Sequence, residues 1–349
     1  MGRSYLDWNA TTPLRREARE AMISAMDHVG NPSSVHGEGR GALGIVARAR
    51  RQVAEAFGAD GADVIFTSSA TEAAALAMAG RGLHCAGVEH DAVAAWATPD
   101  LAVDDLGAVT VTDPSICTLQ AANSETGILQ ELPQGLALVD ATQAFGKIPF
   151  AFNWCGAEMA LISAHKLGGP KGIGALVVKR GSDIAAQIKG GGQEMGRRAG
   201  TENVIGIAGF GAAAAAAAGD LDAGIWDQVK EIRKILELAL EESSKETILI
   251  GNKVARLPNT TCFAHPGWKG ETQVMQMDLA GFAVSAGSAC SSGKVRASKV
   301  LQAMGFDDLT ASSAIRVSIG PTTTKDDVLR FANAWCAQLE KFKARRKMV

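Results

Sequence analysis

Short apolar runs alternate with stretches of helical periodicity along much of the chain, a pattern typical of α/β proteins with a largely parallel sheet. A helix is predicted over residues 71–79, directly after the first apolar run. Four runs have the length and apolar content of buried strands: residues 63–68 (DVIFTS), 136–140 (LALVD), 159–163 (MALIS) and 174–179 (GALVVK). The pattern therefore predicts a mostly parallel sheet flanked by helices.

The character of the pattern changes beyond about residue 223. Three further elements are predicted there: a helix around residues 226–242, a strand over 315–320 and a helix over 325–342. A chain of 349 residues also exceeds the usual size of one domain. We therefore expect a large domain of residues 12–222 and a smaller α/β domain made of residues 1–11 and 223–349.

The longest apolar run, residues 204–219 (VIGIAGFGAAAAAAAG), is rich in Gly and Ala. It is shorter than the roughly 20 apolar residues that cross a bilayer, so we expect a helix packed inside the protein. Residues 1–17 contain no apolar core of a secretory signal. A cytoplasmic protein without membrane attachment is therefore expected.

The composition is that of a globular protein, with 47% hydrophobic and 21% charged residues. The formal net charge of −2, with Lys and Arg scattered along the chain, gives no basis for direct nucleic-acid binding. The six cysteines are too widely spaced for a zinc site of the CxxC kind, and we expect no metal. Most of these cysteines are expected to be small buried hydrophobic residues.

Two consecutive predicted strands end near charged side chains, Asp140 and Lys166. Ligands of open parallel sheets bind beyond the carboxyl ends of the strands, which is where both side chains are expected. A buried carboxylate and a buried amine are costly unless each has a partner. The pair therefore indicates either a ligand site or a plain ion pair, and a Lys166 that reaches solvent is a third interpretation.

A helix start rich in hydroxyl groups precedes this pair. Residues 68–71 (SSAT) lead into the first predicted helix, where free N–H groups favour a phosphate, although a Ser or Thr there is also an ordinary N-cap. Ser163 and His165 flank Lys166 and add further donors. A lysine, an acid and phosphate donors are what pyridoxal phosphate (PLP) requires, but spacing alone does not name the cofactor.

A series of short motifs extends from about residue 5 to residue 320. They are residues 5–12 (YLDWNATT), 30–36 (GNPSSVH), 89–90 (EH), 123–127 (NSETG), 140–143 (DATQ), 163–166 (SAHK), 169–172 (GPKG), 198–203 (RAGTEN), 287–293 (GSACSSG) and 316–318 (RVS). In this order they resemble the signatures of cysteine desulfurases of the NifS/IscS type. These are PLP-dependent enzymes of the class-V aminotransferase family with fold type I.

The resemblance implies conversion of L-cysteine to L-alanine, with the sulfur passing to Cys290 as a persulfide. It implies use of that sulfur in iron–sulfur cluster assembly or another sulfur-transfer pathway. A homodimer and a sulfur-acceptor protein, such as an iron–sulfur scaffold, are the implied partners.

The resemblance also implies roles around the PLP ring. Lys166 would attach PLP covalently and move protons after the substrate binds. Asp140 would pair with the pyridine nitrogen, Gln143 would donate to the phenolate oxygen, and His90 would stack on the ring face.

For the phosphate group, the resemblance implies three side chains of the same chain: Thr71, Ser163 and His165. Thr201 would reach the phosphate from a second subunit, although a Thr before an Ala-rich helix is also a plain cap. Asn123 and Arg316 would hold the substrate carboxylate, for which a guanidinium is the expected partner. Without the resemblance, Arg316 in its alternating strand would be read as a surface arginine.

Cys290 separates this interpretation from other PLP enzymes. It lies in a run of small and hydroxyl-bearing residues, 285–293 (SAGSACSSG), whereas a buried structural cysteine normally lies in an apolar run. An unperturbed thiol, with a pKa of about 8.5, is only a few per cent thiolate at neutral pH. Local activation of Cys290 is therefore expected.

The sequence also departs from the family pattern. Ser69 replaces a usual Gly, Ala73 and Ala74 replace two Asn, and residues 297–299 (ASK) replace Pro-Ser-His. The segment between His90 and Asn123 is shorter than in typical members. Two alternatives therefore stay open: another fold-type-I PLP enzyme, such as an aminotransferase or lyase, and a catalytically weak desulfurase-like scaffold subunit.

Overall fold

The computed structural model describes residues 2–287 and 297–346. The strands are β1 Ser4–Tyr5, β2 Asp63–Thr67, β3 His84–Ala86, β4 Thr98–Leu101, β5 Thr118–Gln120, β6 Leu138–Asp140, β7 Met159–Ser163, β8 Gly174–Val178, β9 Ile248–Ile250, β10 Thr260–Ala264, β11 Phe282–Ala283, β12 Ser285–Ala286 and β13 Ala314–Ser318. The α-helices are α1 Arg16–Met26, α2 Gly37–Ala56, α3 Ala70–Met78, α4 Asp91–Ala94, α5 Val204–Asp222, α6 Ile225–Ser243, α7 Gly270–Leu279, α8 Lys299–Ala303, α9 Asp308–Ala311 and α10 Lys325–Arg346. Each element predicted from the sequence has a counterpart among them.

The central sheet has five strands in the order β2-β8-β7-β6-β5. Strands β5, β6 and β7 are parallel, whereas β8 is antiparallel to both of its neighbours. Four of the five strands therefore point in one direction, which confirms the α/β prediction with a mixed sheet. Strand β8 is reversed because the connection from β7, residues 164–173, is too short for a parallel crossover of a dozen or more residues.

Helices cover both faces of this sheet, which is why its strands are continuous apolar runs. On one face, α5 packs against α1 and α2 through small residues. A Cβ added to Gly211 in α5 would lie 2.6 Å from the Cα of Ala49 in α2, so the two helix backbones require this Gly. On the other face, Ala73 and Ala77 of α3 pack in a cluster with Leu161 and Leu176.

Helix α5 is long and apolar enough to cross a membrane by length and composition alone. Half of its most apolar window is nevertheless buried inside the protein. Phe210, Ala213 and Ala217 belong to the core cluster of the central sheet. The helix therefore packs inside the protein, as the sequence predicted.

A second, antiparallel sheet has the order β12-β13-β10-β9. Its core contains a group of aromatic rings in edge-to-face and tilted contact, contributed by β10, α10 and the turn before α7: Phe263, Trp268 and Trp335. Strand β1 pairs with β11, and Asp7 forms a bridge with Ser318 of β13. The N-terminal segment thus joins elements near the C-terminus, the arrangement expected for the smaller domain. The domain boundaries themselves stay a prediction.

The segment between His90 and Asn123, expected to be shortened, contains little regular structure. Its α-helix, α4, has four residues, and the four-residue strand β4 pairs with β3 at the margin of the large domain. Trp96, Leu106 and Ile116 in this segment are 43–44% exposed. These apolar side chains are partly open to solvent, and the shortening of the segment stays a prediction.

Candidate active site

Lys166 and Asp140 both line a cavity of about 240 Å³ beyond the carboxyl ends of β6 and β7. Five other residues expected to bind PLP line the same cavity: Thr71, His90, Gln143, Ser163 and His165. The sequence motifs that carry them are far apart along the chain. The fold therefore gathers seven of the expected residues into one site.

Lys166 ends the short 3-10 turn that follows β7. Its Nζ donates to the backbone carbonyls of Asn9 and Ala10 at 2.7 and 3.0 Å, and its own carbonyl accepts from the hydroxyl of Thr12 at 2.8 Å. Burial, followed by the nearby charge of Arg316, lowers the pKa of Lys166 to about 8. Lys166 is thus held by neutral carbonyls, and its amine is easier to deprotonate than an ordinary lysine.

Asp140 is the last residue of β6, and its Oδ1 accepts from the backbone N–H of Thr142 at 2.9 Å. No basic side chain within residues 2–287 and 297–346 forms an ion pair with it, so the plain ion pair with Lys166 is absent there. Beside it, Glu89 is fully buried. Burial, and then the charge of Asp140, raises the pKa of Glu89 well above its usual range. Asp140 is therefore the carboxylate available to a cationic group in the cavity.

The start of α3 forms one wall of the cavity. Ser69 is the N-cap, and its hydroxyl accepts from the N–H of Glu72 at 3.2 Å. Because the cap is Ser69, the exposed hydroxyl of Thr71 in the first turn remains available to an anion. Ser69 has a φ of −172°, extended backbone that any residue adopts, so its replacement of the family's Gly brings no strain.

A close approach of two backbones shapes the same wall. A Cβ on Gly174, at the start of β8, would lie 2.7 Å from the carbonyl carbon of Ser69.

His165 also lines the cavity, and its Nδ1 lies 3.2 Å from the hydroxyl of Thr11. Burial, and then the charges of Lys166 and Lys171, lowers the pKa of His165 to about 4. His165 is therefore a neutral hydrogen-bonding residue at physiological pH.

His90 caps a helix and also lines the cavity. It is the N-cap of α4, where its Nδ1 accepts from the N–H of Ala92 at 3.1 Å. It also lines the cavity and is exposed. Because Nδ1 is an acceptor, the neutral ring carries its proton on Nε2.

The two residues expected to bind the substrate carboxylate lie behind the cavity wall. Arg316 donates to the carboxylate of Asp7 and to the carbonyl of Ser124, at 2.8 and 2.9 Å, while its buried Nε has no partner among the described residues. Asn123 uses its Oδ1 to accept the N–H groups of Glu125 and of the next residue. Both roles stay predictions.

Thr201 and Cys290 lie apart from this cavity or outside the described residues. Thr201 is exposed and lines a separate cavity of about 220 Å³ together with Arg198 and Glu202. Cys290 lies outside the described residues. On the near side of that gap, a Cβ on Gly287 would collide with Oε1 of the buried Glu125. Burial raises the pKa of Glu125 to about 7.

Two residues that contribute to the site were not expected from the sequence. Asn9 supplies the carbonyl that holds Lys166, and Lys147 is buried behind Gln143. Asn9 lies inside the quoted motif of residues 5–12, which was a usable signal. Nothing in the local sequence of Lys147 indicates its burial.

Comparisons with known proteins identify relatives of this chain. A family model described as Aminotransferase class-V matches residues 4–93 and 84–331. The chain is 36% identical over 360 residues to a protein named Cysteine desulfurase IscS from Dictyoglomus turgidum, covering 93% of this chain and 91% of that relative. It is 37% identical over 368 residues to a cysteine desulfurase of Cereibacter sphaeroides, covering 95% of this chain and 94% of the relative.

A solved structure also matches over nearly the whole chain. The NifS-like protein from Rickettsia africae superimposes with a TM-score of 0.88 at 31% identity, covering 97% of this chain and 99% of the other. Its fold is that of the PLP-dependent fold type I. On this agreement of sequence, fold and cavity, the chain belongs to the class-V aminotransferase family, within the cysteine desulfurases of the NifS/IscS type.

Proposed function

We propose that this chain converts L-cysteine to L-alanine and takes up the sulfur as a persulfide on Cys290. The observation that carries the proposal is a buried Lys166 of lowered pKa in one cavity with Asp140, at the ends of adjacent parallel strands. The cysteine desulfurases to which the chain is similar bear this activity in their names. The seven gathered residues favour an enzyme over an inactive scaffold.

The residues of the cavity fit PLP. Lys166 offers an amine, and Asp140 offers a carboxylate that has no basic partner among the described residues. The start of α3 offers N–H groups beside the hydroxyl of Thr71. Gly174 has no Cβ, so its backbone can pack closely against the backbone of Ser69 in this wall. When bound, PLP supplies an electron sink for the bonds at the substrate Cα.

The protein's own groups then act on the substrate. Lys166 accepts the proton from the substrate Cα and returns a proton to the substrate carbon skeleton, a role for which a lysine pKa near 8 is suited. Asp140 keeps a proton on the pyridine nitrogen by pairing with it. Arg316 holds the substrate carboxylate. Asn123 would be its second polar partner only after giving up one of the two contacts of its Nδ2, which donates to the carbonyl of Val88 and to Oε1 of Gln120.

The sulfur-transfer reaction needs no external oxidant. The thiolate of Cys290 attacks the sulfur of the substrate, forming an S–S bond while the substrate Cβ–S bond breaks. The electron pair of that bond stays on Cβ, which takes up a proton and becomes the methyl group of alanine. A thiol acceptor or a sulfur-acceptor protein, such as an iron–sulfur scaffold, then removes the persulfide sulfur.

The assembly proposed for this activity is a cytoplasmic homodimer with shared sites. Thr201 serves the phosphate of the partner's site, because it is exposed and lines a cavity that does not contain Lys166. The large domain of residues 12–222 carries the PLP site. The small domain of residues 1–11 and 223–349 carries Arg316 and Cys290.

A product assay tests the proposal. Purified protein is incubated with L-cysteine, PLP and a thiol reductant, and alanine and sulfide are quantified. Equal amounts of alanine and sulfide are expected from the wild type, and neither from Lys166→Ala. An aminotransferase would instead convert the substrate to its keto acid, and a lyase would release sulfide with pyruvate, so either product pattern would refute the desulfurase assignment.

A further inference from the structure

A second lysine, Lys147, lies behind the cavity and is 1% exposed. Its Nζ donates to Oε1 of Gln143 at 2.5 Å and to Oδ1 of Asn9 at 3.0 Å. No carboxylate in residues 2–287 and 297–346 forms an ion pair with it. Burying an amine without a counter-charge costs free energy. We therefore expect Lys147 to have a role in the protein that an apolar side chain at this position would not fill.

The contacts of Lys147 determine which way the amide of Gln143 faces. The carbonyl of Asn9 can only accept, so the Gln143 oxygen lies on the side of Lys147, which donates to it. The amide nitrogen then faces the backbone carbonyl of Asn9, to which it donates at 3.0 Å. The reversed amide would place two carbonyl oxygens against each other at Asn9 and would remove one of the two acceptors of Lys147.

This orientation leaves one N–H of Gln143 for the cavity. The amide nitrogen has two hydrogens, and the carbonyl of Asn9 accepts one of them. Within the described part of the chain, no other acceptor takes the second. Since Gln143 lines the cavity with Lys166, the remaining N–H is available to an acceptor of the cofactor.

We infer that Lys147 is a positioning residue, which fixes the Gln143 amide so that an N–H is presented to the phenolate oxygen of bound PLP. The inference rests on the proposed function, because it concerns the same cofactor site. It adds a residue that does not itself touch the cofactor.

Asn9 connects the same lysine to Lys166. The carbonyl of Asn9 accepts from Nζ of Lys166 at 2.7 Å and from the amide of Gln143 at 3.0 Å. Its side-chain oxygen accepts from Lys147 and from Asn259. Lys147 therefore contacts both Asn9, whose carbonyl accepts from Lys166, and Gln143, which lines the cavity with Lys166.

The hydrogen-bond inventory fits an unprotonated Lys147. Burial, followed by the charges of Lys166 and Arg316, lowers its pKa well below the usual range. A neutral amine has two N–H groups, and the two recorded contacts use both of them. A third N–H of an ammonium group would have no partner among the described residues.

A double-mutant cycle tests the inference. Lys147→Met removes the donor but keeps the length, Gln143→Leu removes the amide, and the third variant carries both changes. Each full chain is freed of PLP, and two quantities are measured: the Kd for PLP and the pH midpoint of the visible absorption of bound PLP. Lys179→Met is the matched control, because the exposed Glu158 is the one ion-pair partner of Lys179 in the described part of the chain.

Lys147→Met is expected to weaken PLP binding about tenfold, the effect of losing a well-placed hydrogen bond to a charged acceptor. It is also expected to raise the pH midpoint, because a phenolate without its donor holds the neighbouring proton more tightly. In the Gln143→Leu background, the same change should alter Kd by less than about threefold. Lys179→Met should leave both quantities unchanged.

A conservative variant separates positioning from packing. Lys147→Gln retains an N–H donor and should keep the Kd within about threefold of the wild type. If the Lys147→Met chain does not fold, Lys147→Asn replaces it, because its amide is too short to reach Gln143. Independent effects of Lys147→Met and Gln143→Leu would overturn the inference, as would an unchanged pH midpoint in Lys147→Met.

The experiments distinguish a failure of the Lys147 inference from a failure of the proposed function. A wild type that binds PLP and shows the coupling, but yields no alanine, refutes the desulfurase activity and leaves Lys147 as assigned. An active wild type without coupling between the two positions refutes the assignment of Lys147 alone. A wild type that binds no PLP refutes both.

Discussion

The guanidinium of Arg316 in β13 lies 2.8 Å from the carboxylate of Asp7, a residue of the N-terminal segment that bridges to the same strand. The arginine expected to bind the substrate carboxylate is therefore already paired. Its Nε–H is buried and has no partner among the described residues, although Nη1 donates to the carbonyl of Ser124, which lines the cavity. Asp7 and Ser124 orient the guanidinium, and the unpaired donor remains for an incoming carboxylate.

This geometry predicts the effect of Arg316→Lys. A lysine offers no planar pair of donors, so a charge-assisted hydrogen bond to the substrate carboxylate is lost. The value of kcat/KM for L-cysteine should fall roughly 10- to 100-fold, mainly through a higher KM. Initial rates over a range of cysteine concentrations measure this, with the Kd for PLP as the unchanged reference. An unaltered KM would show that the carboxylate binds elsewhere.

The site could be predicted from the sequence because ligands of parallel sheets bind at the carboxyl ends of the strands, and the ends of apolar runs mark those positions. Asp140 and Lys166 follow such runs, and the structure places them in one cavity. The antiparallel direction of β8 was not predicted, because an apolar run does not reveal the direction of its strand. That direction follows from the short connection between β7 and β8. Lys147 was missed because one of its two hydrogen-bond partners, Asn9, lies 138 residues away in the chain. Contacts across that distance leave no local pattern in the sequence.

The pKa of Lys166 predicts how the PLP-free chain takes up its cofactor. Only the unprotonated amine attacks an aldehyde, and its fraction rises with pH through the pKa, which burial lowers to about 8. The rate of covalent PLP capture should therefore reach half its maximum near pH 8, whereas an unperturbed lysine would require a pH of about 10.4. Borohydride reduction of timed samples measures the rate.

Lys166→Ala is the control for this measurement. It should form no borohydride-reducible bond to PLP in the absence of a substrate amine. Reducible attachment in that variant would show that another lysine carries the cofactor. A capture midpoint above about pH 10 in the wild type would instead show that the lowered pKa is wrong.

The burial of other cysteines sharpens the assignment of Cys290. Cys85, Cys117 and Cys262 are at most 2% exposed. Burial raises the pKa of Cys85 to about 12 and that of Cys262 well above its usual range, so neither forms a thiolate near neutral pH.

Cys290→Ser should therefore bind PLP normally, yet form no protein persulfide and little alanine. Mass spectrometry of peptides after incubation with L-cysteine alone locates the persulfide. Its appearance on Cys85, Cys117 or Cys262 of the wild type would refute the assignment.

The separate locations of Thr201 and Lys166 predict that the active sites are shared between subunits. Thr201 precedes α5, but the side chain that caps this helix is that of Asn203, whose Oδ1 accepts from the N–H of Gly206 at 3.0 Å. The alternative role considered for Thr201, that of a plain cap, is therefore already filled. Its exposed hydroxyl is therefore predicted to serve the second subunit.

Subunit mixing tests this sharing directly. Lys166→Ala subunits lack the amine, and Thr201→Glu subunits place a carboxylate against the phosphate, so each homodimer should be nearly inactive. If Thr201 serves the partner's site, both lesions of a hybrid fall in one site and the other site is intact. Hybrids isolated by two affinity tags should then recover about half of the wild-type activity per dimer. If Thr201 serves its own chain, every hybrid site carries one lesion, and verified hybrids that stay inactive would reject the shared site.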